Sequence, residues 1–209
     1  MHTIVVRNPA NGEVVGEVPA FTRAQVEEAV AKARAAQPAW AALGVDARAA
    51  ILRRFQEALI EAREEVAALA TRETGKPFTE ALGTEVLTAL DATKWCVTEG
   101  VEHLRPRRVK LSNPLFMGRR SVVEREPLGV VGIVSPWNYP LAIPAGQAVA
   151  ALLAGNAVVL KPASFTPLTA LKLRELMTKA GLPEDVLLVT PGRGAEAGDA
   201  LVEGDVDHL

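Results

Sequence analysis

At 209 residues, 49% hydrophobic and 23% charged, the chain holds enough apolar material for one large or two small domains, and its composition excludes disorder. A net charge of −2 excludes a global attraction to nucleic acid or anionic membrane, and no apolar run free of charges or turn-formers is long enough to cross a bilayer. The single Cys96 excludes an internal disulfide framework and any multi-cysteine metal site.

The N-terminus, Met1 to Arg7, lacks the basic-then-apolar order of a signal peptide, so a soluble cytoplasmic protein is expected. Val5 and Val6, then Val14 and Val15, flank Asn11-Gly12, a dipeptide suited to the primed turns of tight hairpins. Thr22 precedes Gln25 by three in a capping-box pattern, and Val26, Val30, Ala33 and Trp40 follow at near-helical spacing. Pro38 is expected to end or bend that helix. From Asp46 the apolar positions Ile51, Leu52, Phe55, Leu59, Val66 and Leu69 continue one stripe to Gly75, a stop signal followed by Pro77. A third helix carries Leu82, Val86, Leu90, Val97 and Val101. Residues 105–126 break this rhythm at Pro106, Pro114 and Gly118 and read as an exposed antiparallel arm. Its cations, Arg105, Arg107, Arg108, Lys110, Arg119 and Arg120, suit a solvated hairpin or subunit contact better than a nucleic-acid surface, because no aromatic residues interleave at base-stacking intervals.

After Pro127 the rhythm alternates: strands at 129–134, 157–160 and 186–189, helices at 141–154, 166–180 and 195–202. Right-handed crossovers and a parallel sheet follow. The expected fold class is α/β: an N-terminal helical segment leading into a Rossmann-like parallel sheet with helices on both faces, incomplete at the C-terminus. Its segments are a hairpin and helices over 1–104, the arm over 105–126 and a cofactor-binding core over 127–209. Residues 205–209 would begin a fourth strand, leaving apolar surface uncovered.

Ligands of open parallel sheets bind at the carboxyl ends of strands. Here the first strand runs into Ser135-Pro136-Trp137-Asn138-Tyr139-Pro140 and the second into Lys161-Pro162-Ala163-Ser164, so Trp137, Asn138, Lys161 and Ser164 are expected to share one nucleotide crevice. Prolines and aromatic neighbours restrict Asn138, whose amide suits an oxyanion; the alternative is a turn asparagine bonded to its own backbone. Lys161 ends an apolar strand, either pointing into a polar crevice or reaching solvent. Gly192-Arg193-Gly194-Ala195-Glu196-Ala197 fits a G-x-G-x-x-A dinucleotide pattern between strand and helix. Glycines also occupy such turns for backbone reasons alone, and the acidic residue expected about 20 positions later would lie beyond Leu209. Cys96 sits on a helical stripe and reads as a small buried hydrophobe rather than a nucleophile. His2, His103 and His208 lack metal-ligand spacing, and no metal is expected.

The words PWNYP and LLAGNAVVLKPASFTP resemble the aldehyde dehydrogenase superfamily, as do Asn8-Pro9-Ala10-Asn11-Gly12-Glu13, Glu73-Thr74-Gly75-Lys76-Pro77 and the segment from Arg125 to Gly132. The resemblance covers nearly the whole chain and stops at residues 205–209, where a family member would enter the strand and Gly-Ser turn before its nicotinamide site. It implies the N-terminal part of an NAD(P)-dependent enzyme that oxidises aldehydes to acids by cysteine attack, hydride transfer and thioester hydrolysis. The family nucleophile and water-activating glutamate lie downstream and have no counterpart here, so the chain alone is expected to be inactive. By the same resemblance Asn138 is the catalytic amide that holds the thiohemiacetal oxygen, and Lys161 contacts the adenosine ribose. Ser164 stands where many NAD-preferring members carry glutamate; without that repulsive carboxylate, NADP is favoured over NAD. The implied cofactor set is Val134, Ser135, Pro136, Trp137, Asn138, Lys161, Pro162, Ala163, Ser164, Gly192 and Gly194, with the arm serving a homo-oligomer and a small aldehyde as substrate. A non-catalytic nucleotide-binding or interaction module, or part of a related semialdehyde or acyl reductase, is the alternative. A reading frame continuing into a Gly-Ser turn, a glutamate and a reactive cysteine separates the module from the enzyme.

Overall fold

The computed structural model describes residues 2–116 and 118–209; Met1, at the head of the first segment, and Met117, inside the 105–126 arm, lie outside the described residues. Strands β1 (Thr3–Arg7) and β2 (Val14–Pro19) pair antiparallel. The tight turn expected at Asn11-Gly12 is instead a longer loop over residues 8–13. The Asn8 N–H donates to the Glu13 carbonyl and the Gly12 N–H to the Asn8 carbonyl, both at 2.8 Å, with Gly12 in the left-handed region at φ +76. The Asn8 and Asn11 carboxamides each accept from a backbone N–H two residues on, which stabilises the wider loop.

Helix α1 (Arg23–Ala42) starts on the expected capping box of Thr22 and Gln25 but runs through Pro38 instead of ending there. Losing one ladder bond inside a helix costs about 3 kcal/mol. Packing on both sides offsets it: Ala33 is fully buried before Pro38, and Trp40 after it is 1% exposed with its indole N–H on the Leu152 carbonyl at 2.9 Å. The stripe expected as one helix from Asp46 to Gly75 is two, α2 (Gly44–Glu61) and α3 (Arg63–Thr74), parted at Ala62 with φ −87 and ψ 6. The Ala62 N–H still donates to Ala58, and Val66 donates to Ala62, so the apolar stripe continues across the kink. Gly75 caps α3 in the left-handed conformation. The third expected helix is present over residues 78–104, but not with a single period. Segments α4 (Phe78–Ala81), α5 (Thr88–Trp95) and α6 (Val101–Leu104) are joined by π-helical turns at Leu82–Leu87 and Cys96–Gly100. The arm pairs β3 (Arg107–Val109) with β4 (Ser121–Val123) antiparallel.

Three parallel strands, β5 (Val130–Val134), β6 (Ala157–Lys161) and β7 (Leu187–Val189), lie in the order β5-β6-β7. Crossovers α7 (Ala142–Leu153) and α8 (Pro167–Lys179) join them. A π-helical turn at Gly194–Gly198 leads into α9 (Asp199–Val202), the observed form of the helix expected at 195–202. The expected start of a fourth strand is seen: Gly132 donates to the His208 carbonyl and Asp207 to the Val130 carbonyl, both at 2.8 Å, so β5 is flanked on its far side. Side chains alternate across the sheet. Val131, Ile133, Val158 and Leu160 join the large core shared with α2, α3, α5, α7 and α8. Val130, Ala157 and Val159 face the other way, against Val26, Ala29, Val30 and Ala33 of α1 and Ala197, Ala200 and Leu201. No helix among the described residues is long and apolar enough to cross a membrane.

Candidate functional site

The alternation that buries Val159 against α1 also sends Lys161, two residues on, to that same face at the carboxyl end of the central strand. Val134 pairs with Lys161 across the ladder, and the Ser135 N–H donates to the Lys161 carbonyl at 3.1 Å. Lys161 is only 5% exposed, and a Cβ added to Gly198 would sit 4.0 Å from its Cε. Its side chain therefore runs beneath the glycine-rich turn. Burial lowers the pKa of the ammonium, and no acidic neighbour among the described residues pulls it back. Ser135, also 5% exposed, leaves its Oγ without a hydrogen-bond partner among the described residues.

The glycine pattern has a steric cause. A Cβ on Gly192 would lie 2.3 Å from the Cβ of Ala197 and 3.2 Å from the Phe21 carbonyl, so the strand end and the following turn can approach this closely only with Gly at the first position and a small residue at the last. A Cβ on Gly194 would meet nothing within 4 Å. The half-buried Ser164 donates its hydroxyl to the Gly192 carbonyl at 2.9 Å, joining the loops after β6 and β7. Pro162 is buried and Ala163 half-buried behind that link. The structure thus brings Val134, Ser135 and Lys161 together through the β5–β6 ladder, and Ser164 and Gly192 through a direct bond. On the loop after β5, Pro136 is half-buried, Trp137 is 55% exposed and Asn138 is exposed, and neither Trp137 nor Asn138 bonds directly to Lys161 or Ser164 among the described residues. The Asn138 carboxamide makes no bond to its own turn among the described residues; the side-chain bonds that fix the loop end at Leu141 and Ala142.

Those bonds come from a residue that the sequence pattern did not single out. The Glu85 carboxylate accepts from the N–H groups of Leu141 and Ala142, both at 3.0 Å, at the start of α7. Glu73 does the same for α8, accepting from Leu168 N–H at 2.7 Å, Thr169 N–H at 2.8 Å and the Thr169 hydroxyl at 2.5 Å. Helix N-termini that follow strands are ready anion sites, and here both are filled internally. A phosphate cannot use them, which leaves Lys161, Ser135 and the two linked loops to meet a ligand. The sequence signal for Glu73 was its helix-ending motif, and only the fold shows what its carboxylate reaches.

Cys96 is 5% exposed within the core, and burial pushes its thiol pKa up, away from the reactive thiolate. The three histidines are exposed, His103 stacking on Trp95 with centroids 5.9 Å apart. Among the described residues no group of three His, Cys, Asp or Glu side chains could hold a metal ion.

Comparison with known proteins matches the family described as "Aldehyde dehydrogenase family" over residues 1–209. Among solved structures, an aldehyde dehydrogenase from Brucella melitensis biovar abortus 2308 is 37% identical with a TM-score of 0.91, over 98% of this chain and 41% of that one. An NADP-dependent enzyme of E. coli is 37% identical with a TM-score of 0.88, over 95% of this chain and 40% of that one. PnpE from Pseudomonas sp. WBC-3, solved with nicotinamide adenine dinucleotide, is 35% identical with a TM-score of 0.89, over 97% of this chain and 40% of that one. The chain spans about 40% of the length of these structures.

Proposed function

The chain belongs to the aldehyde dehydrogenase family, and on that premise we propose that it forms the N-terminal, cofactor-binding portion of an enzyme that oxidises aldehydes to carboxylic acids with NAD or NADP. Lys161 carries the proposal: a buried ammonium without an acidic partner among the described residues, at the end of the central strand and under the glycine-rich turn. Such a charge is costly unless acceptors reach it, and ribose hydroxyls supply acceptors without requiring a second buried charge. The unpartnered Oγ of Ser135 fits the same polar ligand.

When bound, the cofactor supplies a nicotinamide ring that accepts hydride from the aldehyde carbon. The chain's own residues bind and orient. Lys161 would donate to the ribose, with Val134, Ser135, Pro136, Trp137, Pro162 and Ala163 around it and the Gly192–Gly194 turn beside the adenine. Ser164 places no negative charge there, which favours NADP. Asn138 would donate its amide to the aldehyde oxygen as negative charge develops, an interaction worth roughly 3 kcal/mol in comparable sites. Residues 127–209 then form the cofactor core, 1–104 its hairpin and helical layer, and 105–126 an arm for assembly of a cytoplasmic homo-oligomer. With Cys96 buried in the core, the chain by itself contributes no nucleophile.

Titration of the protein with NADP and with NAD, followed by tryptophan fluorescence, tests the proposal. Lys161→Ala should weaken both cofactors by about tenfold or more, the worth of hydrogen bonds to a charged group. Unchanged affinity for both would remove Lys161 from the cofactor site and the proposal with it.

A further inference from the structure

The π-helical turn Leu82–Leu87 holds a fully buried carboxylate whose hydrogen bonds and ion pair all lead to one loop. Glu85 divides its oxygens: Oε2 takes the N–H groups of Leu141 and Ala142 at 3.0 Å, and Oε1 takes the Lys76 ammonium at 2.5 Å. Lys76 in turn stands over the Tyr139 ring, 3.9 Å from its centroid. The two contacts therefore grip the chain at the residue immediately after Asn138 and again two residues later. Pro140 between them is buried, and its ring fixes φ. Asn138 itself is exposed and held by no side-chain bond of its own among the described residues; the loop is anchored before it by the Ser135 N–H and after it at Tyr139, Leu141 and Ala142.

Glu85 lies on the helix face that the core buries: Ala81 and Ala89, four residues before and after it, have no exposure. Val86 and Ala89 of the same stretch lie in the core, and Glu85 shares that buried side rather than facing solvent. A buried ion pair is a poor source of stability compared with packed apolar groups, but it fixes geometry through charge-assisted bonds of narrow direction.

We propose that Glu85, Lys76 and Tyr139 form a positioning clamp for the Asn138 amide, an inference that rests on Asn138 holding the aldehyde oxygen. None of the three touches substrate; each acts through the loop. Glu85 fixes its exit into α7, and Lys76 couples that anchor to the ring beside Asn138.

The test is a double-mutant cycle on steady-state kinetics of the complete enzyme. Glu85→Gln keeps the side-chain shape and one acceptor but removes the charge that binds Lys76. It should lower kcat about tenfold or more while leaving KM for aldehyde and cofactor within about twofold. In an Asn138→Ala background the same change should have almost no further effect on kcat, because the group being positioned is gone. A merely structural role predicts that the two losses multiply, and that result, or an unchanged kcat in Glu85→Gln, overturns the clamp. If Asn138→Ala alone leaves kcat unchanged, the oxyanion assignment fails first and takes the clamp with it. Should Glu85→Gln fail to fold by circular dichroism, Tyr139 decides. Tyr139→Leu should show the same loss of kcat, non-additive with Asn138→Ala, and Tyr139→Phe should restore it by returning a ring to Lys76; equal kcat for the Leu and Phe variants overturns the clamp.

Discussion

Replacing Glu73 removes the acceptor of two backbone N–H groups and one hydroxyl at the start of α8, in a region where Thr169 has no exposure at all. Each buried donor left without a partner costs about 1–3 kcal/mol. Against this, burial pushes the Glu73 carboxyl above the usual carboxylate range, its hydrogen bonds pulling the other way, so deleting it also relieves a desolvated group. The net cost of Glu73→Ala should be about 3 kcal/mol, or a fall in Tm of about 6–12 °C for a chain of this length. Glu73→Gln, which keeps one acceptor but turns an amide donor toward facing donors, should cost about 1–2 kcal/mol. The pH dependence has a definite sign. Because the folded pKa is raised, the native state holds its proton longer than the unfolded chain does. The contribution of Glu73 is complete below the ordinary carboxylate pKa and declines as pH rises through the raised folded value. The gap between the parent and Glu73→Gln should therefore narrow with rising pH when urea melts are followed by circular dichroism. A gap that widens with pH would refute the claim that desolvation dominates at this site.

Two further outcomes follow from the crevice and the core. Ser164→Glu should weaken NADP at least tenfold more than NAD in equilibrium titrations, since like charges about 4 Å apart repel by up to about 4 kcal/mol near a protein surface; equal losses would place Ser164 away from the ribose. Cys96, buried and with its pKa pushed up, should react with an aromatic disulfide reagent at least about 100-fold more slowly in the native protein than in urea, and rapid native labelling would show that the surrounding helices open readily.

The architecture was legible wherever a local cause sufficed. Apolar strands ending in PWNYP and KPAS marked the sheet and its carboxyl edge, and the Thr22 and Gln25 pair marked the start of α1, because period and capping are properties of a few adjacent residues. Features set by distant contacts were hidden. Nothing at Ala62 announces a kink, since no Gly or Pro stands there. Pro38 read as a helix end because its lost bond is local, whereas the packing of Trp40 against α7 lies more than a hundred residues away. The same holds for the site. Lys161 stood out as a cation ending an apolar strand, but its path beneath Gly198 depends on β7 and the turn after it. The bond from Ser164 to Gly192 and the carboxylates of Glu73 and Glu85 at the helix starts all join segments far apart in sequence.

The placement of α1 sets the order in which the chain can assemble as it leaves the ribosome. Its stripe of Val26, Ala29, Val30 and Ala33 packs on Val130, Ala157 and Val159, partners made about a hundred residues later. At roughly 5–20 residues per second, that stripe waits about 5–20 seconds without its permanent cover. Until then it is available to any other apolar surface, including the same stripe on a neighbouring nascent chain. The face of the sheet that carries Lys161 is closed by the earliest helix, which is made about a hundred residues before the strands it covers. Slower translation over residues 30–130 would lengthen the exposure, so yield of the folded protein is tied to elongation rate and to holdase chaperones as well as to equilibrium stability.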